Sequence, residues 1–257
     1  MSEVNVTFLG TGTSQGVPII GCNCMVCKSL DPKDHRLRTS VLVQTKGKNI
    51  VIDTGPDFRQ QMLRTGISKL DAVLFTHEHK DHVAGLDDVR PFNFLHKTPV
   101  NVYAEKRVQS ALKREYAYIF SDNPYPGIPQ INMTLIDESP FQIEDVEIIP
   151  IRVMHHQLPI LGFRIGDFAY LTDMKSLPET EYSKLTGIKT LVVTALRKEL
   201  HISHMNLDES IEFIHKVNPE KAYLIHLSHR FGLHKAEEDK LPESIKIAFD
   251  GLQIKVG

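Results

Sequence analysis

No apolar run in this 257-residue chain approaches the roughly 20 residues that a membrane-crossing helix needs. No secretory leader is expected either, since the sequence opens Met-Ser-Glu and enters a strand pattern at once. There are only three cysteines, all between positions 22 and 27, and an odd, clustered set does not make a disulfide framework. These absences leave the cytoplasm as the expected compartment and no membrane as a partner. Neither sign of charge dominates: 30 Lys and Arg stand against 32 Asp and Glu, a formal charge of −2. That balance supplies no general attraction to nucleic acid or to an anionic lipid surface. No Pro/Gly/Ser-rich linker divides the sequence, so residues 1–257 are expected to form one domain. Pro124, Pro126, Gly127 and Pro129 mark a loop within it.

What is present is a succession of short β-rich runs. Val4 to Leu9, Ser40 to Gln44, Asn49 to Ile52, Ala72 to Phe75 and Val100 to Tyr103 read as strands. So do Met133 to Ile136, Val146 to Arg152, Gly162 to Ile165, Phe168 to Leu171, Thr190 to Thr194 and Lys221 to Ile225. Helical patterns fall between them. Phe58, Met62 and Leu63 share a face before Gly66, and Val108, Leu112, Tyr116 and Ile119 recur at helical spacing. Asn206, with Glu209 three residues later, opens a capped helix running to Val217. Four apolar strands end in Asp53, His77, Asp173 and His226; NIVID echoes AYLTD, and DAVLFTH echoes AYLIH. Aligned strand ends place such side chains along one edge of a sheet. The order implies two similar β-rich halves, each covered by helices.

His77, His79, Asp81 and His82 fall within six residues, just after the strand from Ala72 to Phe75. Each offers a lone pair to a divalent ion, and imidazole with carboxylate suits zinc, iron or manganese. A lone histidine is more often a plain polar residue. Four ligands in so short a piece exceed what one ion takes from one segment, which favours two adjacent ions completed from elsewhere. This spacing resembles the signature of the metallo-β-lactamase superfamily. Gly10-Thr11-Gly12 after the first strand and Asp53-Thr54-Gly55 after the third fit in the same order, and the resemblance covers essentially the whole chain. It implies an α/β fold, the αββα sandwich of two β-sheets flanked by helices, and a metal-dependent hydrolase.

The same resemblance implies the ligands. His77 and His79 would hold a first ion with a third histidine, His155 or its neighbour His156; the spacing to Leu158 favours His155. Asp81, His82 and His226 would hold a second ion, and Asp173 would bridge the two. Asp53 would either orient a ligand imidazole by accepting its other N–H or cap a turn at its strand end.

Cys22-Asn23-Cys24-Met25-Val26-Cys27 places three thiolates where they can wrap one tetrahedral zinc, in a small loop at about residues 21–28. A closed site needs a fourth ligand, and His229, three residues after His226, is the best candidate. With Leu9-Gly10-Thr11-Gly12-Thr13-Ser14 and Gly16-Val17-Pro18 before it, the cluster resembles the phosphoribosyl cyclic-phosphate phosphodiesterases of the carbon–phosphorus lyase pathway. His226-Leu227-Ser228-His229 fits the same pattern. In that branch a histidine just before the late helix lies near the metals without binding them. His204 matches it and would protonate the leaving oxygen, since an imidazole of near-neutral pKa suits proton transfer; His201 is the alternative. Asp81 would also hold the nucleophile.

The implied activity is phosphodiester hydrolysis of small, cyclic substrates such as ribose cyclic phosphates. Its cofactors would be two divalent ions, zinc or manganese, plus one structural zinc. A tRNA 3′-processing ribonuclease shares the fold and metals but usually carries a protruding arm that grips tRNA, and no Gly- or Lys-rich insertion resembles one, so nucleic acid is the less favoured partner. A thioester or lactone hydrolase shares the His77 to His82 run. The family resemblance suggests a homodimer. His35, His96, His215 and His234 gain no such support as site residues, His215 and His234 being expected at the surface, and Arg36 and Arg38 are expected in solvated or structural ion pairs. A non-enzymatic, zinc-stabilised binding module would explain the cysteines alone, and metal stoichiometry separates the two readings. Elemental analysis of the purified protein should find about three ions per chain; about one would favour the binding module.

Overall fold

A computed structural model of the chain describes residues 3–121 and 125–256. Met1 and Ser2, at the start read for a leader, and Pro124 of the expected loop lie outside the described residues. The first part of the chain lays down β1 (Val4–Gly10), β2 (Ser40–Thr45), β3 (Lys48–Ile52), β4 (Ala72–Leu74), β5 (Val100–Ala104) and β6 (Ile131–Leu135). The second lays down β7 (Phe141–Ile143), β8 (Val146–His155), β9 (Leu158–Ile165), β10 (Phe168–Leu171), β11 (Thr190–Thr194), β12 (Lys221–Ile225) and β13 (Ile245–Ile247). The last strand, β14 (Gln253–Val256), returns to the first sheet. The sheet orders are β14-β1-β2-β3-β4-β5-β6 and β13-β12-β11-β10-β9-β8-β7.

The helices are α1 (Phe58–Thr65), α2 (Lys80–Val83), α3 (Arg90–His96), α4 (Lys106–Glu115), α5 (Leu207–Val217) and α6 (His234–Glu238). Gly66 ends α1 in the left-handed region, and Asn206 and Glu209 form the reciprocal capping box that opens α5, as expected. Among the described residues no helix is long and apolar enough to cross a membrane.

Period-two alternation sorts the apolar side chains into three layers. Val41, Val43, Ile50 and Ile52 face Phe163, Phe168 and Tyr170 between the sheets. The intervening Leu42 and Val51 point the other way, against Phe58 of α1, Val83 of α2 and Leu112 of α4. On the second sheet Val192 faces inward while Leu191 and Val193 pack on Phe213 and Ile214 of α5. Sheets covered on both faces read as continuous apolar runs, which is why these strands stand out in the sequence. The result is an αββα sandwich of two mixed sheets.

The two halves match more closely than the sequence echo implies. Each sheet has three antiparallel pairs followed by three parallel ones, with the change at β3 and at β10. Asp53 and Asp173 therefore follow topologically equivalent strands. The histidines do not: His77 follows the strand next to β3, whereas His226 follows the second strand beyond β10. The pairing of DAVLFTH with AYLIH is thus one strand out of step.

Two glycines bring the metal-motif helix against the β3 end. A Cβ on Gly55 would lie 2.2 Å from the Asp81 carbonyl oxygen, and one on Gly85 would lie 2.2 Å from the Gly55 carbonyl oxygen. Backbone bonds close the same contact, from Thr54 N–H to the His82 carbonyl (2.7 Å) and from Gly85 N–H to the Thr54 carbonyl (2.8 Å). Gly55→Ala should therefore cost about 1–3 kcal/mol of stability by overpacking. Urea unfolding measures this, and an unchanged midpoint would show that the segments separate without loss.

Candidate metal centre

The strand ends converge. His79, at the N-cap of α2, is exposed, while His77 and His82 are fully buried. Asp81, His82, Asp173 and His226 offer ligand atoms within 4.8 Å of one another, and so do His77, His79 and Asp173. Asp173 is common to both groups, the place expected of a bridging ligand. Its Oδ1 lies 3.3 Å from both His82 Nε2 and His226 Nε2, and its Oδ2 lies 3.9 Å from His77 Nε2. His155, Asp173 and His204 form a third such group. Its neighbour His156 is exposed in the β8–β9 turn at φ 56°, so the strand delivers His155 and not His156.

Hydrogen bonds on the far side of each ring fix which nitrogen faces inward. His82 Nδ1–H donates to Asp53 Oδ2 at 2.7 Å. The Thr76 hydroxyl donates to the same carboxylate oxygen (2.8 Å), which leaves it to accept from His77 Nδ1–H at 2.9 Å. His155 Nδ1–H donates to the Ser203 carbonyl at 2.8 Å. All three rings thereby present the Nε2 lone pair to the common centre, as ligand imidazoles do. Asp53 also accepts the Thr76 N–H, so it both orients a ring and holds the chain just past the end of the neighbouring β4. Asp53, Asp173 and His226 each adopt left-handed backbone, at φ 65°, 55° and 57°. Such conformations cost about 1–3 kcal/mol each and persist where surrounding structure enforces them.

The electrostatics call for cations. Burial raises the Asp53 pKa, while the nearby His82 opposes the rise. Burial works against charge on Asp173, yet His226 and His82 hold its carboxyl well below the usual range. Burial likewise disfavours charge on His82, but Asp81, Asp173 and Asp53 outweigh it and raise that imidazole well above its ordinary value. His77, with less help from the carboxylates, is driven well below it by burial. Three acids thus share a dry pocket, while buried His82 Nε2 and His226 Nε2 have no hydrogen-bond partner. Divalent ions would satisfy both conditions, so the residues fit the metals.

His204 departs from expectation. It is buried, stacks on His226 (4.8 Å between ring centres) and lies 4.5 Å from the His155 ring, with no partner for Nδ1. Burial, then the His226 ring, push its pKa down to about 2, not the near-neutral value read from residue type. His201 lies 5.2 Å from it, half-buried. His234 also differs: it is buried, accepts from Arg36 at Nδ1 (3.1 Å) and places Nε2 2.7 Å from Glu238. Arg36 is buried too, donating to Thr11 and the Ala248 carbonyl, and Arg38 pairs with Asp57. The sequence reading missed Thr76 and the Ser203 carbonyl, whose roles rest on contacts rather than on ligand chemistry.

Away from this centre, the sulfurs of Cys22, Cys24 and Cys27 lie 3.2, 3.4 and 3.5 Å from His229 Nδ1. Ligands of one tetrahedral zinc stand roughly 3.5 Å apart given the usual bond lengths, so the four residues fit a closed site. The Cys27 N–H reaches Cys24 Sγ at 3.4 Å and is the main reason that thiol's pKa falls to about 6, toward the thiolate a metal requires.

Comparison with known proteins gives the family. The model of the β-lactamase superfamily domain matches residues 48–227. The chain therefore belongs to the metallo-β-lactamase superfamily. Within it, the chain falls in the PhnP-like branch. The crystal structure of a new diphosphatase from the PhnP family superposes with a TM-score of 0.93 at 41% identity, covering 98% of this chain and 97% of that one. A Porphyromonas gingivalis protein named octanoyltransferase is 45% identical over 249 residues, 96% of this chain but 50% of that protein. Ribonuclease Z of Nanoarchaeum equitans is 27% identical over 137 residues, 51% of this chain and 42% of that one. The chain spans about half the length of the curated relatives it matches.

Asp53→Asn should weaken metal binding about 10- to 100-fold by releasing the His82 ring. Competition against a chromophoric chelator measures this, and wild-type affinity in the variant would show that Asp53 only holds the chain past β4.

Proposed function

We propose that the chain is a two-metal phosphodiesterase of small substrates, with ribose cyclic phosphates as the first candidates. The observation that carries this reading is the placement of His204. It stands beside two ligand groups that share Asp173 and belongs to neither: Asp81, His82, Asp173 and His226 already make four potential ligands, and His77, His79 and Asp173 three, while His204 groups only with His155 and Asp173. Both central ions would be divalent, zinc or manganese, and a further zinc would sit among Cys22, Cys24, Cys27 and His229. When bound, paired ions lower the pKa of water toward about 7 and neutralise phosphate oxygens.

The chain's own residues do the rest. His77, His79 and His155 would form one ligand set, Asp81, His82 and His226 the other. Asp81, partly exposed where Asp173 is buried, also faces the nucleophile and can take its proton. His204 holds the leaving oxygen. Burial and the His226 ring disfavour its charged form; the negative charge of a bound phosphodiester would favour it, so that the ring takes a proton from solvent and passes it to that oxygen. The similar diphosphatase supports a phosphoryl substrate and adds diphosphate linkages to the candidates. The octanoyltransferase match supplies a contrasting class, the transfer of an octanoyl group.

Metal-loaded protein should turn over bis(p-nitrophenyl) phosphate and a ribose cyclic phosphate, and His79→Ala should abolish both activities. His204→Ala should lower ribose-ester turnover about 10²- to 10⁴-fold with metal content unchanged. Its effect on the nitrophenyl ester should be small, because nitrophenolate departs without a proton. A thioester, a lactone and a precursor tRNA belong in the same assay. Cleavage of one of these with silence on the phosphodiesters would overturn the substrate class.

A further inference from the structure

His204 has no side-chain anchor, since its Nδ1 is buried without a partner. Its position comes from the backbone on either side. The Ser203 carbonyl holds His155 Nδ1 at 2.8 Å, and Met205 N–H donates to the Met174 carbonyl at 2.8 Å. Met174 directly follows Asp173. The turn after Asp173 is bonded in its own right to β8, through Lys175 N–H to the Met154 carbonyl at 2.8 Å. Three segments carrying Asp173, His155 and His204 thus meet in a triangle of hydrogen bonds, two between main-chain groups and one from the His155 ring to the Ser203 carbonyl.

One ion pair braces that triangle from outside. Glu209 is the acid of the α5 capping box: its Oε2 accepts the Asn206 N–H at 2.9 Å. Its Oε1 accepts Lys175 Nζ at 2.6 Å. Asn206 is buried, lies two residues after His204, and its amide donates to the Lys198 carbonyl at 2.9 Å. The carboxylate therefore joins the helix start that carries His204 to the turn that carries Asp173. A cap needs only the first of these contacts.

We infer that Lys175 and Glu209 are positioning residues that fix His204 against Asp173 and so set the efficiency of leaving-group protonation. This deepens the phosphodiesterase reading and rests on His204 as the proton donor. The pair is partly exposed, so its loss removes little global stability. A displacement of His204 by a fraction of an ångström is what its loss produces.

The test compares Lys175→Met, Glu209→Gln and Lys175→Arg with His204→Ala on two substrates, a ribose cyclic phosphate and bis(p-nitrophenyl) phosphate. Lys175→Met leaves the capping box whole, and Glu209→Gln keeps an oxygen for the Asn206 N–H. Each should lower kcat on the ribose ester about 10- to 100-fold, with KM unchanged and the nitrophenyl ester spared. Lys175→Arg should restore most of the loss. In metal-free protein, the His204 ring signals in an NMR spectrum should shift in Lys175→Met while the melting temperature holds. Equal losses on both substrates, or none, alongside a selective loss in His204→Ala would overturn the positioning role alone. A His204→Ala variant without leaving-group selectivity would remove the proton donor itself, and the positioning role with it.

Discussion

Buried carboxylates that repel one another are the constraint around which the rest of the molecule is arranged. Asp53, Asp81 and Asp173 stand within reach of the same His82 ring, two of them fully screened from water. Such a set is costly to bury without compensating positive charge. Protonation of His82 supplies part of it in the bare protein. Divalent ions supply it better, because they also take the lone pairs that Thr76, Asp53 and the Ser203 carbonyl have turned inward. Folding and metal binding would then be linked: the same atoms that strain the bare site would be the ligands of the loaded one.

The sandwich explains how one short motif gathers so many partners. Parallel strands in both sheets end at the same rim, so Asp53, His77, Asp173 and His226 arrive together from sequence positions far apart. Gly55 and Gly85 let α2 press its backbone onto the turn after β3, which carries Asp81 and His82 into the same space. The outer cysteine loop is joined to the centre through the segment His226 to His229, which carries a candidate ligand of each.

Legibility in the sequence followed the physical range of each feature. The buried strands were plain because each is a continuous apolar run. β7 and β13, three residues each, and β14 with its polar Gln253 and Lys255, offered no such run and were missed. The His77 to His82 ligands were readable because their chemistry and spacing lie in one segment. His155 and His156 stayed open because a shift of one residue in a strand reverses its faces; only the actual end of β8 decides between them. His234 was misplaced at the surface because Arg36, almost 200 positions earlier, is what buries it. Its partner Glu238, one helical turn on, was the local signal available. The low proton affinity of His204 could not be read at all, since it arises from His226 and from burial by the assembled fold.

The equivalence of Asp53 and Asp173 has a further consequence. The two halves share a layout, but their histidines follow different strands, so the centre is not chemically symmetric. One side gathers imidazoles around a single shared acid; the other adds the carboxylate of Asp81. Two ions of the same element would therefore meet unequal fields, bind with unequal affinity and enter in a preferred order. Between the empty and the filled protein lies a singly loaded form with its own charge, and the supply of metal in the surroundings would govern how much of the protein rests there.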